Sequence, residues 1–331
     1  QFLKPPRKSM KRIHKYFAIA LSTIGLSGCY SFLTKVDPSN FELDNYYKTA
    51  SHAESAIIAI YQDLYPIHDN QAWSILEFQT GIANTNFAGD GGLPNFQQIK
   101  NLTNNSDHVS LITFWNSHYR GIANANIALE KLPDIPMNEQ RKSLLLGEAH
   151  FLRAYYYFEL VRMFGDVPLI TSPVDLSSEF LFPERTPVQA VYDLIVSDLT
   201  SAENSALPFK STEGRVSMGA VKTMLSYIYL TMAGHPLNKG TEYFRLAADK
   251  AREVIQSNQF SLFDTYDKLH QDATENTGEH IFMVQFDELN KPSNALQQGL
   301  IPFRRGISQY SNEHGIIYAQ KEFVESYAPN D

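Results

Sequence analysis

Cysteine is all but missing from this chain: Cys29 is the only one among 331 residues. A single thiol excludes an internal disulfide and a thiolate metal cluster. Positive charge is also scarce. Lys and Arg total 28 against 36 Asp and Glu, and six of the basic residues (Lys4, Arg7, Lys8, Lys11, Arg12 and Lys15) fall within the first 28 positions, which hold no acid. Once those six are set aside, 22 basic residues face 36 acidic ones, a net charge of −14. That sign argues against a nucleic-acid partner, which needs a positive footprint to displace counterions. Catalytic signatures are missing too. The chain has no HExxH, no GxSxG and no phosphate-cradling glycine loop. His108, His118 and His150 are scattered without ligand spacing. Gly89-Asp90-Gly91-Gly92 lacks the spaced acids of an EF-hand. No metal, no cofactor and no catalysis are therefore expected. A carboxylate pair for glycoside hydrolysis has no fixed spacing in sequence, so among 36 acids its absence does not follow.

Long apolar runs are absent as well. Tyr16–Leu26 is mostly apolar but only 11 residues long, against the roughly 20 that span a bilayer core. It comes after the basic stretch Met10–Lys15 and precedes small residues, the layout of an export signal. Met10 reads as its start, with residues 1–9 as leader. Leu26-Ser27-Gly28-Cys29 resembles the bacterial lipobox, in which the cysteine sulfur takes a diacylglycerol and becomes the new N-terminus. More than one acyl chain is needed for stable anchoring, so Cys29 is read as a lipid tether to the membrane. The expected division is a leader plus signal peptide over 1–28 and a binding domain over 29–331.

The chain beyond Cys29 is rich in helical spacing. Residues 33–47 are polar with scattered aromatics and read as an extended tether. Ser51–Tyr65 repeats apolar residues at Ala53, Ile57, Ile60 and Leu64, with Ser51 and Glu54 as a capping box. Residues 80–110 lose the period and fill with Asn, Thr, Gly and Asp, which predicts a long loop. Helices are predicted over 114–132 and 139–164, the second stopped by Gly165 and Pro168. Thr186-Pro187-Val188-Gln189 predicts a capping box opening another helix. Helices over 217–233 and 241–257 complete a second hairpin. The two hairpins have offsets suited to a tetratricopeptide-like repeat, without its full consensus. Glu279–Phe286 predicts a short strand, and 287–318 a loop rich in Gly, Asn and aromatics. The expected fold is mostly α: a tetratricopeptide-like helix-hairpin scaffold with a loop-rich, short-strand layer on one face.

These motifs together resemble a known family. Phe151-Leu152-Arg153-Ala154-Tyr155-Tyr156-Tyr157-Phe158 followed by Gly165-Asp166-Val167-Pro168-Leu169 is similar to the signature of the SusD/RagB outer-membrane nutrient-binding lipoproteins. Phe32-Leu33 after the lipobox, Tyr61-x-x-Leu64-Tyr65, Trp115-x-x-x-Tyr119-x-x-Ile122-x-x-Ala125-Asn126, Gly214-Arg215-Val216, Tyr229-Leu230 and Glu279-His280-Ile281-Phe282 extend the resemblance. It implies surface capture of oligosaccharides and a partner, a TonB-dependent transporter of the SusC type, on which such proteins sit as a lid. Family members continue for about another third of their length, so the chain is expected to be incomplete at its C-terminus.

The same residues also carry a physical reading of their own. Tyr155–Phe158 continues the stripe Leu152, Tyr156, Leu160, which favours core packing over a cofactor or sugar site. Arg153 beside it is expected to be structural and paired, because a lone buried charge is costly. Sugar binding asks for an exposed aromatic against the ring face and amides, carboxylates or guanidinium on the hydroxyls. Two non-helical segments offer that mix: Asn84, Asn86, Phe87, Asp90, Asn95 and Phe96 in one, and Phe303, Arg304, Tyr310 and Asn312 in the other. Trp73 is a further candidate, although its neighbours favour packing. These choices rest on chemistry and loop location, and the same residues also suit turns and small satellite cores. Two other functions stay open: an envelope scaffold lipoprotein whose helix pairs bind a protein or peptide, and, more remotely, a surface glycosidase.

Overall fold

A computed structural model describes residues 46–68, 72–85, 94–175, 177–178, 181–286, 296–308 and 313–328. Its elements are α1 (Ala50–Gln62), α2 (Leu64–His68), α3 (Ala72–Phe78), β1 (Ala83–Thr85), α4 (Pro94–Lys100), α5 (Val109–Lys131), α6 (Glu139–Phe164), α7 (Val188–Glu203), α8 (Met218–Ala233), α9 (Thr241–Gln256), α10 (Leu296–Leu300), β2 (Ile317–Ala319) and α11 (Lys321–Glu325). The described residues are thus mostly helical, as the apolar spacing predicts. From Tyr47 onward they form one compact unit. Its helices stack in chain order: α1 and α5 lie against α6, α7 packs on the other side of α6, and α8 and α9 continue the stack. Short connections join α5 to α6 and α8 to α9, which makes each an antiparallel pair. Among the described residues no helix is long and apolar enough to cross a membrane.

The central helix is α6, and its sequence shows why. Leu145, Ala149, Leu152, Tyr156 and Leu160 form the expected stripe, but Phe151, Ala154, Tyr157, Phe158 and Val161 are buried too. A helix flanked on both sides needs apolar residues nearly all round. The tyrosine hydroxyls find partners at the helix edge: Tyr156 donates to the Ile60 carbonyl at 2.6 Å, and Tyr157 donates to the Ile170 carbonyl at 2.8 Å. Arg153 is structural, as expected. It is bidentate to Asp198 on α7 at 2.7 Å and donates to Asn126 Oδ1 on α5 at 2.8 Å, so one buried guanidinium joins three helices.

Gly165 ends α6 at φ +68°, a backbone region that side chains rarely enter, and its N–H donates to the Val161 carbonyl at 3.0 Å. Asp166 then caps the next helix. Its Oδ1 accepts from the Val188 N–H at 2.9 Å, while Val167 bridges Thr186 in an isolated antiparallel contact. The predicted Thr186–Gln189 box does not form: Pro187 is the N-cap and offers no side-chain bond. Replacing Asp166 by alanine is expected to cost about 1 kcal/mol, the usual loss of a cap, with Asp166→Asn retaining most of it. Urea unfolding midpoints measure this, and an unchanged Asp166→Ala midpoint contradicts it.

Three other expectations need correction. The Ser51–Glu54 box is replaced by Thr49, whose hydroxyl accepts from the His52 N–H at 3.3 Å. Thr49 is already extended, so Ser51 falls inside the first turn, and Glu54 turns to Arg141, which donates to it at 2.7 Å. The predicted strand over Glu279–Phe286 does not form: among the described residues no strand pairs with 281–286, and a strand without a partner is not stable. The expected loop 80–110 contains β1 and α4 and runs into α5, which starts at Val109 because His108 caps it: its Nδ1 accepts from the Ser110 N–H at 3.2 Å.

Candidate functional site

β1 and β2 pair antiparallel, with Ala83 opposite Ala319, Asn84 opposite Tyr318 and Thr85 opposite Ile317. This short sheet joins the neighbourhoods of the two candidate segments. Ala83, Thr85 and Ile317 face the core, while Asn84 and Tyr318 share the other face, since directly opposed residues point the same way. Several bonds fix the arrangement. The Gln320 N–H donates to the Ile82 carbonyl at 2.7 Å, and Gln97 Nε2 on α4 donates to the Thr85 carbonyl at 3.2 Å. His108 Nε2 donates to the Asn95 carbonyl at 2.9 Å, which ties the start of α4 to the start of α5. The His314 N–H donates to the Gln298 carbonyl at 2.8 Å, which holds α10 beside β2.

Asn84 Nδ2 donates to Gln320 Oε1 at 2.9 Å, and its Oδ1 accepts from the Thr85 N–H at 2.8 Å. Each end keeps capacity for one further hydrogen bond. Phe303 is 48% exposed, and the Arg304 guanidinium lies 4.8 Å from its ring centroid. Gly315, at φ +56°, lets the chain pass against the Phe303 backbone, where a Cβ would sit 2.6 Å from the Phe303 nitrogen. Glu313 gathers the backbone N–H groups of Ser308 and Gly306, at 2.8 and 2.7 Å, and of Ile307. The Ser308 bond comes first among the contacts that hold its carboxyl below the usual carboxylate range. That carboxylate orders the turn just after Phe303 and Arg304.

The remaining candidates divide. Asn95 is half-buried beside His108. Phe96 is a correction. It is 3% exposed, with its ring 5.5 Å from that of Phe78, because α4 turns it and Ile99 inward, so it has no face for a ligand. Asn86, Phe87, Asp90, Tyr310, Asn312 and Cys29 lie outside the described residues, as does the side chain of Trp73. Tyr318, 44% exposed and beside the Asn84 amide, is a residue that loop composition does not single out. Its signal is the alternation in Ile317-Tyr318-Ala319, one residue buried and the next out. Gly315, which passes against the Phe303 backbone, is three residues from Tyr318, a span of at most about 10 Å along an extended chain. Asn84 with Tyr318, and Phe303 with Arg304, are two exposed pairs connected through Gly315, and each joins an aromatic to a polar group, as the face and edge of a sugar ring require.

A second concavity of about 630 Å³ is lined by Tyr61, Tyr65, Arg215 and Gln285 among others. Its polar floor is already occupied. Arg215 is bidentate to the buried Glu148, with Nη2 at 2.6 Å, and the Tyr61 hydroxyl accepts from the Val216 N–H at 2.8 Å. Burial pushes the Tyr61 hydroxyl well above its ordinary range, so it stays neutral. Among the described residues no three His, Cys, Asp or Glu side chains are grouped to hold a metal ion.

Residues 32–230 match the profile of a SusD-like family described as starch-binding associating with outer membrane. A SusD-like protein of Formosa agariphila is 30% identical over 77% of this chain and 48% of its own length. A SusD superfamily protein from Parabacteroides distasonis superposes with a TM-score of 0.77 at 37% identity, over 85% of this chain and 60% of that one. A laminarin-binding SusD-like protein superposes with a TM-score of 0.59 at 31% identity, over 67% of this chain and 48% of that one. The chain spans about half the length of the curated relatives it matches, 48% of the Formosa agariphila protein and 50% of a SusD-like protein of Bacteroides ovatus.

Proposed function

Because the chain belongs to the SusD-like family, whose description is starch-binding associating with outer membrane, we propose that it captures oligosaccharides at a bacterial outer membrane. It hands them, without catalysis, to a TonB-dependent transporter of the SusC type. Residues 29–331 are the binding domain, and a lipid on Cys29 holds it at the cell surface. One observation supports the reading: β1–β2 pairing sets the Asn84 amide beside the exposed Tyr318 ring, and the exposed Phe303 with the Arg304 guanidinium lies against the same strand's approach at Gly315. The laminarin-binding neighbour supports a glucan as ligand. Of the candidates outside the described residues, Asn86, Phe87 and Asp90 come directly after β1, and Tyr310 and Asn312 precede β2.

Calorimetry with laminarihexaose and maltohexaose tests this. Phe303→Ala and Tyr318→Ala should each weaken binding about tenfold or more, as loss of an aromatic anchor does. Binding untouched by both variants moves the site off the β1–β2 rim. No binding of any glycan sinks the capture reading and favours the envelope scaffold, in which the helix pairs hold a protein or peptide.

A further inference from the structure

A polar cleft lies where the end of α7 crosses α6, away from the β1–β2 rim. Its volume is about 270 Å³, just below the range of drug-sized ligand pockets, so it suits part of a ligand and not the whole of one. Ser143, Gly147, His150, Ser201, Asn204 and Ser205 line it. Gly147 allows the crossing: a Cβ there would meet Ser205 Oγ at 2.1 Å.

The organised group is His150. Its Nδ1–H donates to Asp198 Oδ1 at 2.7 Å, and Asp198 is 2% exposed and itself fixed by Arg153. A carboxylate on one ring nitrogen sets the tautomer and leaves the other nitrogen as a strong acceptor. That nitrogen, Nε2, is on the side of the ring away from the buried Asp198, and the His150 side chain is 25% exposed. The neighbours offer both kinds of group. Ser201 and Ser205 donate their hydroxyls to the Ser197 and Ala202 carbonyls, which leaves oxygen lone pairs, while Asn204, with one N–H on the Thr200 carbonyl, keeps a second N–H and its carbonyl oxygen, and the Lys142 ammonium is held by the Pro133 carbonyl and Glu139. Ser143 is the opposite: its oxygen accepts from the Ala206 N–H, which leaves its proton to give.

A cleft that offers acceptors and donors side by side suits hydroxyl groups, which are both. A metal ion fits poorly, since the carboxylate at the rim, Glu139, is 11 residues from His150 on α6, about 16 Å along the helix. The Asp198 charge is already matched by Arg153. No aromatic lines the cleft, so it holds a hydroxyl edge and not a ring face. We propose that this cleft is a second ligand site, which takes the hydroxyl edge of a neutral oligosaccharide through His150 Nε2 and the Ser143 hydroxyl. This rests on the oligosaccharide reading above.

The test is NMR of the whole chain with labelled histidines, titrated with laminarihexaose, alongside calorimetry. The His150 ring signal is identified by its loss in His150→Gln. It should shift saturably in the wild type and in Phe303→Ala. It should stay still in Ser201→Tyr, which fills the cleft from the exposed side of α7 and leaves the His150–Asp198 bond in place. An unmoved His150 signal in a wild type that binds the sugar by calorimetry overturns the second site alone. A saturable shift of His150 with Phe303→Ala and Tyr318→Ala binding as the wild type does supports the second site and overturns the rim. No heat and no shift overturn both.

Discussion

Arg153→Met is expected to destabilise the protein by about 3–5 kcal/mol, enough to unfold many domains outright. Arg153 is 7% exposed, and its removal leaves Asp198, 2% exposed, as a buried carboxylate held by the His150 hydrogen bond alone. It also strips Asn126 Oδ1 of its donor. Asp198→Leu should cost as much for the mirror reason. The double variant Arg153→Met/Asp198→Leu should cost less than either single change, because no charge is then stranded and a buried ion pair is often replaceable by apolar groups. Urea unfolding of the four proteins is the measurement. Losses that simply add would mean that the pair is not coupled. If neither single variant yields folded protein, recovery of soluble, helical double variant decides the same point.

Acid should unfold the protein through His118. This residue is fully buried on α5, its Nδ1–H donates to the Phe114 carbonyl at 2.6 Å, and its Nε2 has no partner. Burial, with a smaller push from His68, pulls its pKa down from 6.5 to about 3. The unfolded chain therefore takes up a proton below pH 6.5 that the folded chain refuses until about pH 3. Stability from this residue is complete above pH 6.5 and is lost progressively as pH falls from there toward 3. The loss reaches roughly 5 kcal/mol at the bottom of that window, at about 1.4 kcal/mol per pKa unit. His118→Phe keeps a ring between Phe114 and Tyr156 and removes the titration. Urea midpoints at pH 7, 5.5 and 4.5 should converge on or cross in favour of the variant as pH falls. Curves that stay parallel would assign acid lability to other groups.

The helix stack was legible because its signals are local. Leu145, Ala149, Leu152, Tyr156, Leu160 and Met163 announce a stripe within one element; the first five are buried and Met163, at the helix end, is half-buried. Connections between elements were not legible. Asp166 caps a helix that starts 22 residues later, a distance no local capping pattern spans, so the nearer Thr186 drew the assignment. Ile281–Phe286 has the composition of a strand, but a strand is made by its neighbour. In the site, loop composition picked out Asn84, Phe303 and Arg304. It could not tell that Phe96 turns inward with Ile99 on one helical face, or that Tyr318 turns outward on a strand of three residues. Face and register belong to the fold, and at this rim both are set by a pairing across most of the chain.

The short sheet therefore has the character of a seam. Asn84 and Gln320 are 236 residues apart along the chain, yet the ladder that joins their strands is three residue pairs long. A cooperative unit so small opens at far lower free energy than the helix stack beside it, and its amides exchange with solvent without global unfolding. Chain length adds little to this, because the entropy of closure grows only logarithmically. A sugar that touches both rims binds the closed seam alone, so its concentration sets how often the seam breathes. Occupancy is then written into the exchange rates of Tyr318 and Gln320, whose N–H groups face the partner strand.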